Sequence, residues 1–289
     1  MLEWRLMSDL IRSDELAQID AARDPDRWLS MLRGMWPGND EKRRRYRRLF
    51  RSVAGGPGIR VLEVGCGAGG ALRFFIECVP DAALAVGVDP SCMALAEAIR
   101  GVPDEAAVRE PIPEFLAMDG RYLAFPDRTF DVVYCSRVLV HAPEPERILD
   151  EMVRVLKIGG TILVVEPDRD GMLSSAEYDW INRRFWSHLR SLNPEIGRRV
   201  YRQLHRVGLA EIQVESVFNV TTRPPTREQV REVECALSEK RGEYWTLVEL
   251  GLCTADELTK YVEALREAEE SGVYLRSDLE FVYRARRVR

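Results

Sequence analysis

The chain has 289 residues, 46% of them hydrophobic and 31% charged, with 42 Lys and Arg against 47 Asp and Glu. That balance is globular, and a net charge of -5 argues against a general nucleic-acid binder. No uncharged apolar run reaches the roughly 18 residues of a membrane span; Glu3, Arg5, Asp9 and Arg12 interrupt any signal-peptide core, and six cysteines without a Cys-x-x-Cys pair read as reduced cytoplasmic thiols, not a zinc site.

Residues 1–55 read as a helical cap. Trp4, Leu6, Met7, Leu10 and Ile11 recur at helical spacing, as do Trp28, Leu29, Leu32 and Met35, with a break at Pro37-Gly38-Asn39-Asp40. The basic run from Lys42 to Arg48 is either an anion patch or the solvated face of a helix that turns Tyr46, Leu49, Phe50 and Val53 inward. The acidic whole favours the second reading. An α/β pattern then begins. Strands are predicted at 60–64, 83–88, 115–118, 130–135 and 161–166. Helices are predicted at 69–78, at 91–100 with Ser91 as N-cap, and at 144–156 with Gly159-Gly160 as its stop. Such alternation implies right-handed crossovers and a doubly wound, mostly parallel sheet. Helices follow at 176–191 and 195–206, a sixth strand at 211–220, helices at 226–240 and 254–270, and a seventh strand at 277–286. Four regions result: the cap (1–55), an α/β core (56–225), a helical insertion (226–272) and the last core strand (273–289).

Val61-Leu62-Glu63-Val64-Gly65-Cys66-Gly67-Ala68-Gly69-Gly70 is a strand, a glycine turn and a helix start. Glycine takes positive φ and lets backbone approach a ligand without a Cβ clash. Gly65, Gly67 and Gly70 keep the G-x-G-x-x-G spacing of nucleotide sites, and Asp89 closes the next strand, where a carboxylate can take both hydroxyls of an adenosine ribose. A nicotinamide cofactor fits less well. Glu63 lies inside the first strand, and Met118-Asp119-Gly120 closes the third where an adenine edge would lie. The fourth strand, Phe130 to Ser136, leads through a helix to Val155-Leu156-Lys157-Ile158-Gly159-Gly160-Thr161.

Over residues 59–166 these segments resemble class I S-adenosylmethionine-dependent methyltransferases, closest to the branch holding ubiquinone/menaquinone C-methyltransferases and many small-molecule enzymes. Ile158 stands where that family usually has proline, and Glu63 where aspartate is common. The resemblance implies a Rossmann-like, seven-stranded fold with S-adenosylmethionine as cofactor. It puts Gly65 and Gly67 along the methionine moiety, with Cys66 contributing main-chain groups and Glu63 holding the loop or reaching the amino group through water. Asp89 would take the ribose, Pro90 and Met93 would flank the adenine, and Met118, Asp119 and Gly120 would meet its edge. Ser136 and Arg137 would line the methionine end.

Displacement at a sulfonium carbon needs positioning and, for some acceptors, a base. His141 and Glu166 are the candidates, each at the carboxyl end of a strand; Asp168 also lies there but can simply shape the turn. No compact acid–histidine cluster calls for a metal. The aromatic helix with Tyr178, Trp180, Phe185 and Trp186, and the insertion with Tyr244 and Trp245, suit a small, fairly apolar acceptor, plausibly in a biosynthetic pathway. The alternatives are an RNA or protein acceptor, or a non-catalytic cofactor-binding regulator. The terminal helices would serve as a lid or join copies into a homo-oligomer.

Overall fold

A computed structural model describes residues 40–102, 111–189 and 191–289. The expected helices before residue 40, with Trp4, Trp28 and Trp36, lie outside the described residues. Seven strands form one sheet: β1 (Arg60–Val64), β2 (Leu84–Asp89), β3 (Glu114–Ala117), β4 (Phe130–Ser136), β5 (Leu156–Ser174), β6 (Ala210–Thr221) and β7 (Arg276–Arg286), in the spatial order β3-β2-β1-β4-β5-β7-β6. The pairs from β3 through β5 are parallel, and β7 runs antiparallel between β5 and β6. The order reverses between β1 and β4, which opens a ligand crevice at the carboxyl ends there.

The strands read as apolar runs because helices cover both faces. On one face α1 (Asp40–Val53) and α2 (Gly70–Cys78) bury Tyr46, Phe50, Leu72, Phe74 and Phe75 against Val132, Tyr134 and Val165. On the other, α4 (Pro145–Val155) and α6 (Ile196–Arg206) bury Ile148, Leu149, Met152, Val200 and Leu204. Between them in sequence, α3 (Cys92–Arg100) follows β2, with the Ser91 hydroxyl accepting from Ala94 N at 3.0 Å, as its N-cap spacing predicts.

Three boundaries differ from the sequence reading. The glycine pair does not stop α4. The helix ends at Val155, where the Arg287 guanidinium takes the carbonyls of Val153, Arg154 and Leu156. Gly159 (φ 82°) and Gly160 instead lie within β5, and a Cβ on Gly160 would come 2.9 Å from the Asp131 carbonyl oxygen. The helix expected at 176–191 shrinks to α5 (Trp180–Arg184) and a π-turn (Phe185–Leu189), because Tyr178 sits at φ 58° and breaks the run ahead of it. And β5 continues past Glu166 to Ser174, paired with β7 across a bulge.

That overrun lifts β5, β7 and β6 beyond the carboxyl edge of the parallel strands. There α5 and the π-turn join α7 (Arg227–Glu239), α8 (Glu243–Glu249) and α9 (Ala255–Ser271) in a third core of Ile181, Phe185, Val233, Leu247, Leu258 and Tyr261. Capping boxes at Thr226/Gln229 and Thr254/Glu257 start α7 and α9. The aromatic segment and the insertion are thus one packing unit.

Candidate active site

The turn after β1 is built from backbone. Gly65, Gly67 and Gly69 all hold positive φ (73°, 51° and 71°). A Cβ on Gly65 would lie 2.3 Å from Val138 Cγ2, so only glycine lets this turn meet the loop after β4. The amides of Gly65 and Cys66 both donate to the Val88 carbonyl, at 2.7 and 3.0 Å. Asp89 completes the rim: Oδ2 accepts from Gly67 N and Oδ1 from Ser91 N, both at 2.9 Å. One carboxylate therefore ties the turns after β1 and β2 together at the crevice mouth. Pro90 and Met93, half-buried, flank it.

The other residues expected around the cofactor lie beneath and beside this turn. The Cys66 side chain is buried over Gly87, where a Cβ would come within 2.9 Å of its sulfur, and burial raises its thiol pKa well above the ordinary value. Glu63 is 3% exposed beneath the turn, next to the Tyr134 hydroxyl, and desolvation pushes its carboxyl up to about 8. Its Oε2 and the Tyr134 oxygen are buried without a fully formed hydrogen bond. Met118 is wholly buried, and Gly120 packs against Val64 and Ile148. Asp119 is half-buried and holds Arg121 through both oxygens.

The loop after β4 carries the rest. Ser136 Oγ and the Tyr46 hydroxyl of α1 lie 3.2 Å apart. Arg137, at φ 59°, turns its guanidinium onto Glu280 of β7. His141 ends a 3-10 turn (Leu139–His141) and is exposed. Glu166 does not face the crevice as the sequence reading had it. Fully buried, it accepts the amides of Val138, Leu139 and Val140 at 2.8–3.1 Å. Desolvation raises its pKa to about 7 against the pull of those three donors. Asp168 is likewise committed, to the Arg198 guanidinium and Gly171 N. Among the described residues no group of three His, Cys, Asp or Glu side chains is arranged to hold a metal ion.

The sequence reading passed over a second, charged grouping on the α1 face of the sheet. Glu280, 1% exposed, accepts from Arg137 Nε at 2.6 Å and Asn219 Nδ2 at 2.9 Å, with Arg45 Nη2 3.7 Å away. Arg169 lies nearby under Trp186, its guanidinium 4.7 Å from the ring centroid. One signal was available: Glu280 and Val282 share a face of an alternating strand, and Val282 is core.

Comparison with known proteins gives the frame. Residues 62–164 match the family model described as a methyltransferase domain. A phosphatidylethanolamine N-methyltransferase of Cereibacter sphaeroides is 41% identical over 108 residues, 37% of this chain and 50% of that protein. A sterol 24-C-methyltransferase of Aspergillus fumigatus is 36% identical over 109 residues, 38% and 28% of the two chains. The chain thus spans half or less of the length of these curated relatives. The YcgJ protein of Bacillus subtilis shares the fold at a TM-score of 0.55 and 18% identity, over 84% of this chain and 99% of its own. The residues present fit an S-adenosylmethionine: a left-handed glycine turn follows β1, and an acidic side chain, Asp89, stands at its rim at the carboxyl end of β2.

Proposed function

From the premise that residues 62–164 are a class I methyltransferase domain whose cofactor is S-adenosylmethionine, we propose that the protein transfers a methyl group to a small, fairly apolar metabolite. The cofactor supplies an electrophilic methyl on a sulfonium. The chain's own part is to hold and orient. Gly65 and Gly67 would pass the methionine moiety, Asp89 would take the ribose hydroxyls, and Ser136 would close the methionine end. Glu166 is a positioning residue, fixing by three amides the loop that carries His141. Where the acceptor must lose a proton, His141 would take it on a ring nitrogen.

The observation that carries the acceptor class is the third core. Phe185 stacks on Tyr244 at 4.4 Å inside it, and the half-buried Trp186 lies against Arg169 on the overrun of β5, so an aromatic unit flanks the carboxyl ends. The matched relatives named for phosphatidylethanolamine and sterol support an acceptor with an apolar body. An RNA acceptor is less well supported. In the basic α1 run, Arg43 and Arg47 lie over the Phe74 ring and Arg45 turns toward Glu280.

Mass spectrometry of the purified protein for a carried-over adenosyl ligand, followed by a labelled-methyl assay on aromatic and lipid-like acceptors, tests the reading. NADH binding without S-adenosylmethionine binding would sink it. His141→Ala should lower turnover by about 100-fold on an acceptor that needs deprotonation and leave cofactor affinity unchanged. Undiminished turnover would remove the base assignment.

A further inference from the structure

Four arginines gather around Glu280 and Asp278 of β7: Arg45 from α1, Arg137 after β4, Arg169 within the overrun of β5 and Arg276 at the start of β7. The carboxylates facing them are Glu280, Asp278 and, beside Arg276, the buried Asp179, and each already has an arginine. Glu280 accepts from Arg137 and Asn219, and Asp278 accepts from Arg276 Nη2 at 3.0 Å. Arg169 is left out. It is 9% exposed, its side chain makes no hydrogen bond to any described residue, and its Nε is buried without a partner. Arg45 Nε and Arg276 Nε are buried and unpartnered too. Burial and the nearby Arg137 and Arg276 lower the Arg169 pKa to about 10, which still leaves it charged at neutral pH.

A buried guanidinium whose Nε has no partner among the described residues forfeits hydration at that atom without a hydrogen bond in return. Its planar donor fork is matched by an oxyanion, which can accept two parallel N–H bonds. Trp186 covers one face of the same guanidinium, so a molecule docked at its edge meets a cation and an aromatic surface together. We propose that Arg169 is the docking cation for an oxyanion carried by the methyl acceptor, a carboxylate or a phosphoryl group, with Trp186 flanking the acceptor's apolar body. The inference rests on the methyltransferase reading for the word acceptor. The anion site itself is independent of it.

The test is calorimetry on the protein saturated with S-adenosylhomocysteine, using benzoate and phenyl phosphate as probes and benzyl alcohol as the uncharged control. One charged probe should bind at least tenfold tighter than benzyl alcohol, and which one does so separates carboxylate from phosphoryl. Arg169→Gln should lose that preference while its S-adenosylhomocysteine affinity stays within twofold of wild type. Arg169→Lys keeps charge without the fork and should bind the probe several-fold more weakly than wild type; its melting temperature checks that the fold is intact. Equal binding of all three probes, no binding of either anion, or an unchanged Arg169→Gln overturns the proposal. So does a tenfold loss of S-adenosylhomocysteine affinity in that variant, because the guanidinium would then serve the cofactor's own carboxylate. A wild-type protein that binds the anion but no S-adenosylhomocysteine would instead break the methyltransferase reading and leave the anion site standing.

Discussion

The two halves of the crevice are made of different materials. On the β1–β2 side the walls are backbone: positive-φ glycines, amides on the Val88 carbonyl, and one carboxylate tying two turns. On the β5–β7 side they are side chains drawn from across the chain, with Arg137 meeting Glu280 over a separation of 143 residues. Backbone shape demands particular residue types at short spacing, so it writes itself into local sequence. A side-chain constellation needs only that distant residues come together, and no spacing records that.

This difference sets what could be read beforehand. The sequence positions of all seven strands, the Gly65 turn, the place of Asp89 and the Ser91 and Thr254 caps were legible, because each rests on local chemistry. The end of α4 was not, since its cap is Arg287, from the far end of the chain. Glu166 read as a crevice carboxylate because strand position was visible and the direction of its side chain was not. Arg169, between Asp168 and Asp170, looks in sequence like any solvated charge. Only the pairing of Asp168 with Arg198 shows that its acidic neighbour is taken.

If the backbone half holds the cofactor, forcing its turn away from the loop after β4 should have the largest effect. Gly65→Ala forces a Cβ to 2.3 Å from Val138 at a φ of 73°. We expect a loss of about 3–4 kcal/mol in S-adenosylhomocysteine binding, overpacking and left-handed strain together. Calorimetry reads it, and adding Val138→Ala should recover the steric part alone. Affinity within tenfold of wild type would show that the ligand does not follow this turn.

Asp89→Ala removes one charged side chain from the same half. Loss of paired contacts to ribose hydroxyls should weaken binding by about 2–3 kcal/mol. Equal affinity in the same calorimeter would leave Asp89 as a tie between two turns and nothing more.

The backbone half also rests on buried acids, which gives it a pH signature. The Glu63 carboxyl rises from 4.5 to about 8 in the folded protein. The unfolded chain therefore releases this proton near 4.5, while the folded one keeps it. Stability is greatest at the acid end of that window, falls as pH climbs to about 8 and is level beyond. Glu166, raised to about 7, adds a slope of the same sign over a shorter range. Glu63→Gln should flatten the profile of unfolding free energy between pH 5 and 8.5 by on the order of 2 kcal/mol, leaving the part that belongs to Glu166. A profile as steep as wild type would mean that Glu63 ionises freely in the native state.

The smallest expected effect lies at the seam, where α1 touches both halves. Tyr46 packs its ring on Phe50 and sets its hydroxyl 3.2 Å from Ser136, while the preceding Arg45 reaches toward Glu280. Burial and the charge of Glu280 hold the phenol up at about 12, so it stays neutral in any ordinary buffer and acts as a hydrogen-bonding group, not a base. Tyr46→Phe deletes that one polar atom and keeps the ring. Its stability cost should be about 1 kcal/mol, the usual net worth of one hydrogen bond. The informative quantity is how the functional loss divides. Ser136 sits at the end of β4 beside the Gly65 turn, so a loosened Ser136 should weaken S-adenosylhomocysteine binding by a few-fold. The Arg45–Glu280 contact does not use the phenol oxygen, so anion binding at Arg169 should not change. If the variant instead loses probe binding and keeps cofactor affinity, the hydroxyl orders the side-chain half, and α1 belongs to the acceptor wall.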